Sequence, residues 1–273
     1  MSATDATPPL AGAGEPLAPD AETSVKVSNL TVTFDEFTAV SDVSLLMLKG
    51  QVHFLIGPNG AGKTTLVDAL TGLVPATGTA MYDGMDLLSM KTNKIIRAGV
   101  GRTFQTATVF DELSVLQNLD IAGGVHRKAW RLPLTRRGVP AYVEEALETI
   151  GLTALRDKPA GTLAHGQKQW LEIGMLLVQD AKVMFLDEPV AGMNADERDE
   201  TGQLLRRIGD ERTIIVIEHD MDFVRNFADW VTVMHTGKLL TAGTVEQVQA
   251  DVRVQEVYLG SAADAAVEGK GDH

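Results

Sequence analysis

The stretch that decides the fold is Gly57-Pro58-Asn59-Gly60-Ala61-Gly62-Lys63-Thr64, which fits the pattern G-x-x-x-x-G-K-[ST] without a gap. The apolar run 52–56 before it predicts a buried strand, and the run 65–70 after it predicts a helix that ends at Gly72. Glycines let such a loop curl until its N–H groups point inward, and the positive end of the helix dipole also attracts an anion. The stretch therefore predicts that the chain binds a nucleoside triphosphate.

Two side chains of this stretch have predicted chemical roles. Lys63 can reach the outer phosphates, and the Thr64 hydroxyl can bind Mg²⁺. The loop backbone and the first helical turn provide the other contacts. The predicted nucleotide-binding residues of this region are Gly57, Pro58, Asn59, Gly60, Ala61, Gly62, Lys63, Thr64 and Thr65.

Composition narrows the function further. The 273 residues are 44% apolar, which suffices for one large domain or two small ones. The net charge of −13 argues against nucleic-acid binding, because that affinity depends on basic residues. The absence of cysteine excludes disulfides and thiolate metal sites.

The sequence also indicates where the protein acts. No apolar run approaches the roughly 18 residues of a membrane span, and no basic residue precedes Lys26. We therefore expect a cytoplasmic protein whose membrane contact is peripheral.

Turn signals and apolar periodicity divide the first part of the chain. Residues 1–23, rich in Ala, Pro, Gly and Thr, are expected to be disordered. Strands are predicted at 25–27, 30–34, 43–48 and 78–82, then a short helix at 93–98 and an extended loop over 99–105. A capping box from Ser114 to Gln117 and a proline, Pro140, at the first helical position predict two helices. These helices indicate a helical insert at about 106–162.

The second part of the chain alternates helices with strands. Helices are predicted at 167–179 and 196–208, and strands at 183–186 and 213–217. A hairpin turn at Thr236-Gly237 and a capping box from Thr244 to Gln247 follow, and residues 261–273 are expected to be flexible. This alternation predicts an α/β fold with a mainly parallel sheet between helices, within one domain over 24–260.

Residues 126–137 contain five Arg or Lys residues and Trp130. Such a run is most often a solvated basic loop. The alternative is a patch that approaches anionic lipid or a partner protein.

Asp187 and Glu188 directly follow the strand predicted at 183–186. The carboxyl ends of parallel strands in an open α/β sheet are where ligands bind, so both side chains are expected beside the phosphate loop. Asp187 is expected to hold Mg²⁺, mainly through water. Glu188 is expected to orient or deprotonate the attacking water.

Two further residues complete the predicted catalytic set. His219 ends the next predicted strand, 214–219, so its imidazole is expected near the γ-phosphate rather than in a purely structural position. Gln105 lies between the β-rich section and the helical insert, and its carbonyl oxygen can bind Mg²⁺ or water and release it when the insert moves. The predicted catalytic residues are Glu188, His219 and Gln105, and the predicted metal ligands are Thr64, Gln105 and Asp187.

The chain resembles the nucleotide-binding subunit of an ABC transporter over about residues 25–260. Residues 57–64 resemble the Walker A motif, Gln105 the Q-loop, residues 183–187 the Walker B strand, Glu188 the catalytic glutamate and His219 the switch histidine. Leu163-Ala164-His165-Gly166-Gln167 resembles the family's signature sequence. The resemblance implies a P-loop NTPase core with an antiparallel β subdomain and an inserted α-helical subdomain, and it implies ATP and Mg²⁺ as ligands.

The resemblance also implies contacts between subunits. In the family the signature covers ATP that the opposite subunit holds in a head-to-tail dimer, so the expected nucleotide contacts include Ala164, His165, Gly166 and Gln167. Phe34 matches the aromatic residue that stacks on adenine, the alternative being an ordinary core phenylalanine. Two residues depart from the family pattern, because Ala164 stands where Ser is usual and Asn194 where Asp is common. The first lacks a hydroxyl for the γ-phosphate, and the second puts the usual cross-dimer signalling contact in doubt.

Finer likeness concerns the cargo. Residues 165–175 and 188–193 most resemble the urea-transport ATPases, so the expected function is an ATPase that powers an importer of urea or short-chain amides. The alternatives are a branched-chain amino acid importer, a lipopolysaccharide-export ATPase and, from another class, a soluble ABC ATPase acting on ribosomes or DNA. A binding module without hydrolysis is disfavoured because both Lys63 and Glu188 are present.

The resemblance implies partners as well. These are transmembrane permease subunits, a second ATPase subunit, identical or different, and indirectly a periplasmic or extracellular substrate-binding protein. No nucleic-acid partner is expected. The expected location is the cytoplasmic face of the inner membrane.

Overall fold

The computed structural model describes residues 22–103, 108–126 and 138–258. The strands are β1 (Thr23–Phe34), β2 (Phe37–Leu48), β3 (Val52–Ile56), β4 (Thr77–Tyr82), β5 (Met85–Asp86), β6 (Val100–Arg102), β7 (Val183–Asp187), β8 (Thr213–Ile217), β9 (Trp230–His235) and β10 (Lys238–Gly243). The helices are α1 (Lys63–Leu70), α2 (Thr92–Arg97), α3 (Val115–Ala122), α4 (Ala141–Thr149), α5 (His165–Val178), α6 (Ala195–Gly209), α7 (Met221–Phe227) and α8 (Val245–Ala250). The predictions for residues 1–21, Gln105, the basic stretch 127–137 and the tail from 259 lie outside the described residues.

The strands form two sheets. One is antiparallel, with the order β2-β1-β4-β5. The other has the order β10-β9-β3-β8-β7-β6, in which β9, β3, β8, β7 and β6 run parallel and β10 is antiparallel to β9. The α/β class predicted from the sequence is therefore confirmed, and an antiparallel β section accompanies it.

The central strands are buried on both faces, and their side chains alternate between two apolar cores. Phe54, Met184 and Val216 pack into the core that also contains residues of α3, α4, α5, α6 and α7. Their neighbours Leu55 and Phe185 point to the opposite core, which contains residues of α1 and the antiparallel sheet. This alternation follows from the two-residue period of a strand. The phosphate loop that leaves β3 therefore starts from a strand that is packed on both sides.

The local signals for helix starts are confirmed at two capping boxes. Ser114 accepts a hydrogen bond from the Gln117 N–H, and the Gln117 side chain accepts one from the Ser114 N–H. Thr244 and Gln247 form the same reciprocal pair at α8. Each box satisfies donors that a helix N-terminus leaves without partners.

Two details of the sequence-based assignment are wrong, and one helix was not predicted. Part of the loop expected at 99–105 forms β6, because its backbone pairs in parallel with β7. Gly101 lets α5 pack closely against this strand, since a Cβ there would lie 2.7 Å from the Leu176 side chain. Pro140 has extended backbone angles and is the N-cap of α4, so the helix begins one residue later. Asp220 caps α7, a helix that the apolar pattern did not indicate.

Candidate active site

The phosphate loop runs from the end of β3 to the start of α1 and packs tightly against two strands. Gly57 has a φ of 147°, and a Cβ at this position would lie 2.2 Å from the Met234 carbonyl oxygen of β9. Gly62 has a φ of 93°, and a Cβ there would lie 2.7 Å from the Ala39 carbonyl oxygen of β2. Both positions require glycine for space as well as for backbone conformation. The loop is therefore held by neighbouring backbone before any ligand binds.

Lys63 opens α1 and folds back over the loop. Its Nζ donates hydrogen bonds to the carbonyl oxygens of Gly57, at 2.7 Å, and Pro58, at 3.1 Å. Burial lowers the pKa of Lys63, and the charges of Glu188 and Asp187 act in the opposite direction. The ammonium group thus lies at the loop, within the electrostatic reach of the two carboxylates.

Asp187 is the last residue of β7. It is held by Arg102, the last residue of β6, and by Thr103, which follows β6. Its Oδ2 accepts a hydrogen bond from Arg102 Nη2 at 3.1 Å, and its N–H donates to Thr103 Oγ1 at 3.3 Å. Burial raises the pKa of Asp187, while the hydrogen bond and charge of Arg102 lower it. A buried strand end thus presents an oriented carboxylate at the edge where the phosphate loop lies.

The oxygen donors of this region fit magnesium. Thr64 offers a hydroxyl and Asp187 a carboxylate, and Mg²⁺ prefers such hard ligands together with water and phosphate oxygens. Within the described ranges, no group of three or more His, Cys, Asp or Glu side chains could hold a metal by itself. Thr64 and Asp187 would therefore hold a cation only together with other ligands, such as nucleotide phosphates and water.

Glu188 and His219 come together at the ends of the neighbouring strands β7 and β8. His219 Nδ1 lies 3.6 Å from Glu188 Oε1, and the imidazole is 66% exposed. Glu188 has a left-handed backbone with a φ of 49°, although it is not glycine, and its N–H donates to the Ile217 carbonyl oxygen at 2.9 Å. Strained backbone of this kind is held in place by its surroundings and is concentrated at functional sites.

Sequence reasoning missed Glu218, whose carboxylate binds the backbone of the two turns that carry Glu188 and His219. The side chain is buried, and burial raises its pKa. It accepts hydrogen bonds from the backbone N–H groups of Val190 at 3.4 Å, His219 at 3.0 Å and Asp220 at 3.3 Å. One carboxylate therefore ties the turn after Glu188 to the turn that carries His219. An acidic residue at the end of a β-branched buried run was the available signal.

Comparisons with known proteins identify the family. Residues 40–191 match the family described as ABC transporter. The chain is 37% identical over 250 residues to the high-affinity branched-chain amino acid transport ATP-binding protein BraF of Pseudomonas aeruginosa, and the match covers 87% of this chain and 98% of that protein. The chain belongs to the ABC transporter family.

Further ABC proteins extend the match. The chain is 35% identical over 250 residues to the branched-chain amino acid transport ATP-binding protein LivG of Escherichia coli K12, covering 87% of this chain and 98% of that protein. The solved ADP conformation of an ATP-binding cassette of an ABC transporter superposes with a TM-score of 0.76 at 30% identity, covering 87% of this chain and 99% of that one. The chain is therefore the ATP-binding subunit of an ABC transporter and an ATPase.

The signature residues of this ABC ATPase lie at the exposed N-terminus of α5. Ala164 is the N-cap and offers no side-chain hydrogen bond, whereas Gln167 Oε1 accepts from the Ala164 N–H at 3.1 Å. Ala164 and His165 are exposed, and Gly166 is buried against Met193 and Glu197. Ala164 and His165 are therefore at the surface, at the helix end whose dipole is positive and attracts anions.

The ABC resemblance also singled out Phe34, Asn194 and Gln105, and the structure bears differently on each of these three predictions. Phe34 is 45% exposed at the tip of the β1–β2 hairpin, so it is not an ordinary core residue, and its adenine contact stays a prediction. Asn194 caps α6 by accepting a hydrogen bond from the Glu197 N–H at 3.0 Å, a structural use of this position. Gln105 lies outside the described residues, so its predicted roles stay predictions.

Tyr258, near the end of the described chain, reaches the first residue of the phosphate loop. The side chain packs against the core that includes α5 and β9. Burial raises the pKa of Tyr258 to about 12, against a hydrogen bond with the Gly57 backbone that lowers it. The last described residue of this ABC ATPase therefore contacts the start of the phosphate loop.

Glu172 is a buried carboxylate on α5 that the predicted catalytic set does not use. It is 5% exposed, and its Oε1 accepts a hydrogen bond from the Thr108 N–H. Its Oε2 is also buried and makes no hydrogen bond within the described part of the chain. Burial raises the pKa of Glu172 to about 7 from 4.5, with the hydrogen bonds of Thr108 acting against this shift.

The raised pKa predicts a pH-dependent stability. A group whose pKa is higher in the folded state favours folding when it is protonated, so this contribution is complete below pH 4.5 and is lost as the pH rises through 7. The shift corresponds to about 3 kcal/mol. Because Glu172→Gln stays neutral, its unfolding free energy relative to wild type should rise by up to that amount between pH 5 and pH 8.

Urea unfolding at several pH values measures this difference. The comparison with wild type is necessary because the pKa of buried His53 is lowered to about 4 by burial, which makes stability fall with decreasing pH in an overlapping range. Glu200→Gln, on the exposed side of α6, is the control and should give a difference that does not change with pH. A constant difference for Glu172→Gln would contradict the prediction.

Proposed function

We propose that this ABC ATPase powers the import of branched-chain amino acids. The observation that carries the proposal is the near full-length similarity to BraF and LivG, two proteins described as branched-chain amino acid transport ATP-binding proteins. Urea import, expected from residues 165–175 and 188–193, has no support among these relatives and remains the second candidate. The residues around the phosphates are common to both, because ATP hydrolysis is the same reaction for either cargo.

In this proposal each of the described site residues has a separate role in ATP binding or hydrolysis. The N–H groups of the phosphate loop and the Lys63 ammonium bind the phosphates. Glu188 accepts a proton from the attacking water as the water oxygen bonds to the γ-phosphorus and the bond from that phosphorus to the leaving ADP oxygen breaks. His219, whose Nδ1 lies 3.6 Å from Glu188 Oε1, contacts the γ-phosphate side. Magnesium, when bound at Thr64 and Asp187, supplies charge neutralisation for the phosphate oxygens. The adenine stacks on Phe34.

The exposed start of α5 supports a second part of the proposal. Residues Ala164, His165, Gly166 and Gln167 bind ATP held by another ATPase subunit, since an outward helix N-terminus attracts phosphate. The two subunits, identical or different, pair head to tail. Ala164 contributes only backbone to this contact because it has no hydroxyl.

The proposed location follows from the proposed partners. No helix within 22–103, 108–126 and 138–258 is long and apolar enough to cross a membrane. We place the subunit at the cytoplasmic face of the inner membrane, on permease subunits that receive cargo from a substrate-binding protein.

Uptake by cells that lack the chain tests the cargo. Deletion should abolish saturable leucine uptake at low external concentration and leave urea uptake unchanged. The wild-type chain and Glu200→Gln should restore leucine uptake, whereas Glu188→Gln should not. Loss of urea uptake with normal leucine uptake would favour the second candidate, and normal uptake of both would exclude both cargoes.

A further inference from the structure

Arg102 is a buried arginine at the end of β6 that joins two acidic side chains. Its side chain is 7% exposed. Nη1 donates to Asp68 Oδ1, and Nη2 donates to Asp187 Oδ2 at 3.1 Å. The three residues are far apart in sequence, so only the fold creates this arrangement. A guanidinium group suits it because its donors lie in a rigid, planar fork.

The two acidic partners belong to the elements that carry the proposed magnesium ligands. Asp187 is itself one of these ligands. Asp68 lies four residues after Thr64 on α1, so the two side chains share one face of the helix. Arg102 therefore connects the face of α1 that carries Thr64 with the strand end that carries Asp187.

The backbone around Arg102 fixes the same carboxylate. Arg102 is paired with Phe185 in the parallel register of β6 and β7, and the Thr103 N–H donates to the Phe185 carbonyl oxygen at 2.9 Å. The Thr103 hydroxyl accepts from the Asp187 N–H. Arg102 and Thr103 together therefore fix the Oδ2 and the backbone N–H of Asp187.

We propose that Arg102 is a positioning residue of the magnesium site, which sets the orientation of the Asp187 carboxylate relative to Thr64. The inference rests on the proposed function, in which Asp187 binds magnesium. Side chains that orient a metal ligand affect metal affinity by roughly 10- to 100-fold when they are removed. A purely structural ion pair would instead change stability and leave the magnesium dependence of ATP binding unchanged.

Equilibrium binding of a fluorescent ATP analogue tests this inference without turnover. All proteins carry Glu188→Gln, and binding is measured in EDTA and then with increasing Mg²⁺. Arg102→Gln should raise the Mg²⁺ concentration for half-maximal enhancement of binding by about 10- to 100-fold, while the affinity in EDTA changes by less than about twofold. Arg102→Lys keeps the charge but not the fork, so its shift should be intermediate.

Two further variants separate the possible outcomes. Arg97→Gln, an exposed position on α2, should match the parent protein. Asp187→Asn should produce the largest loss of magnesium dependence. If Asp187→Asn has no effect, the magnesium site is wrong and the inference fails with it. If Asp187→Asn acts but Arg102→Gln equals Arg97→Gln, only the role of Arg102 is overturned. Should Arg102→Gln not fold, an unchanged half-saturation in Arg102→Lys overturns it instead.

Discussion

Replacing Glu188 by Gln is expected to lower steady-state ATP turnover by roughly 10²- to 10⁴-fold, which is the usual contribution of a general base. The amide has nearly the same shape but cannot accept the proton of the attacking water. The side chain lies beside His219, on a turn that Glu218 holds through Val190 and His219. Because this support uses the backbone and Glu218, the substitution should leave the site folded and able to bind ATP.

The measurement is phosphate release together with ATP affinity on the same protein. Glu200→Gln makes the identical chemical change on an exposed face of α6 and should retain wild-type turnover and affinity. Near-normal turnover in Glu188→Gln would show that another group removes the proton. Loss of ATP binding in this variant would show instead that Glu188 supports the nucleotide site itself.

Replacing Lys63 by Ala should weaken ATP binding by about 2–5 kcal/mol, or roughly 30-fold or more in Kd, since it removes the positive partner of a buried charge pair. The substitution also removes the two hydrogen bonds that join the ammonium group to the carbonyl oxygens of Gly57 and Pro58. The phosphate loop thus loses both a ligand contact and an internal tie. Turnover at saturating ATP should fall as well, because Lys63 lies near the carboxylates of Asp187 and Glu188.

Equilibrium binding at a fixed Mg²⁺ concentration provides the test. Lys94→Ala, an exposed lysine on α2, removes the same charge from the chain and should leave Kd unchanged. An equal affinity for Lys63→Ala and Lys94→Ala would contradict the placement of the phosphates at this loop. Urea unfolding of Lys63→Ala distinguishes the loss of the contact between Lys63 and ATP from a loss of the folded structure.

The sequence by itself determined the features that depend on neighbouring residues along the chain. The strand and the helix that flank the phosphate loop, and the capping boxes at Ser114 and Thr244, were predicted correctly, because they depend on apolar periodicity or on hydrogen bonds across three residues. The strand at 213–217 was likewise predicted, and all five of its residues are buried. Motif order was sufficient for the family.

Only the tertiary structure decided the features that depend on residues distant in sequence. β6 has three residues and too little local pattern to be recognised, and it is a strand because β7 provides hydrogen-bonding partners 83 residues later. The contacts of Arg102 with Asp68 and Asp187 likewise join segments that are distant in sequence, as does the hydrogen bond from the Val190 N–H to Glu218. Burial and charge pairing act through space, so their partners become known only when the chain is folded.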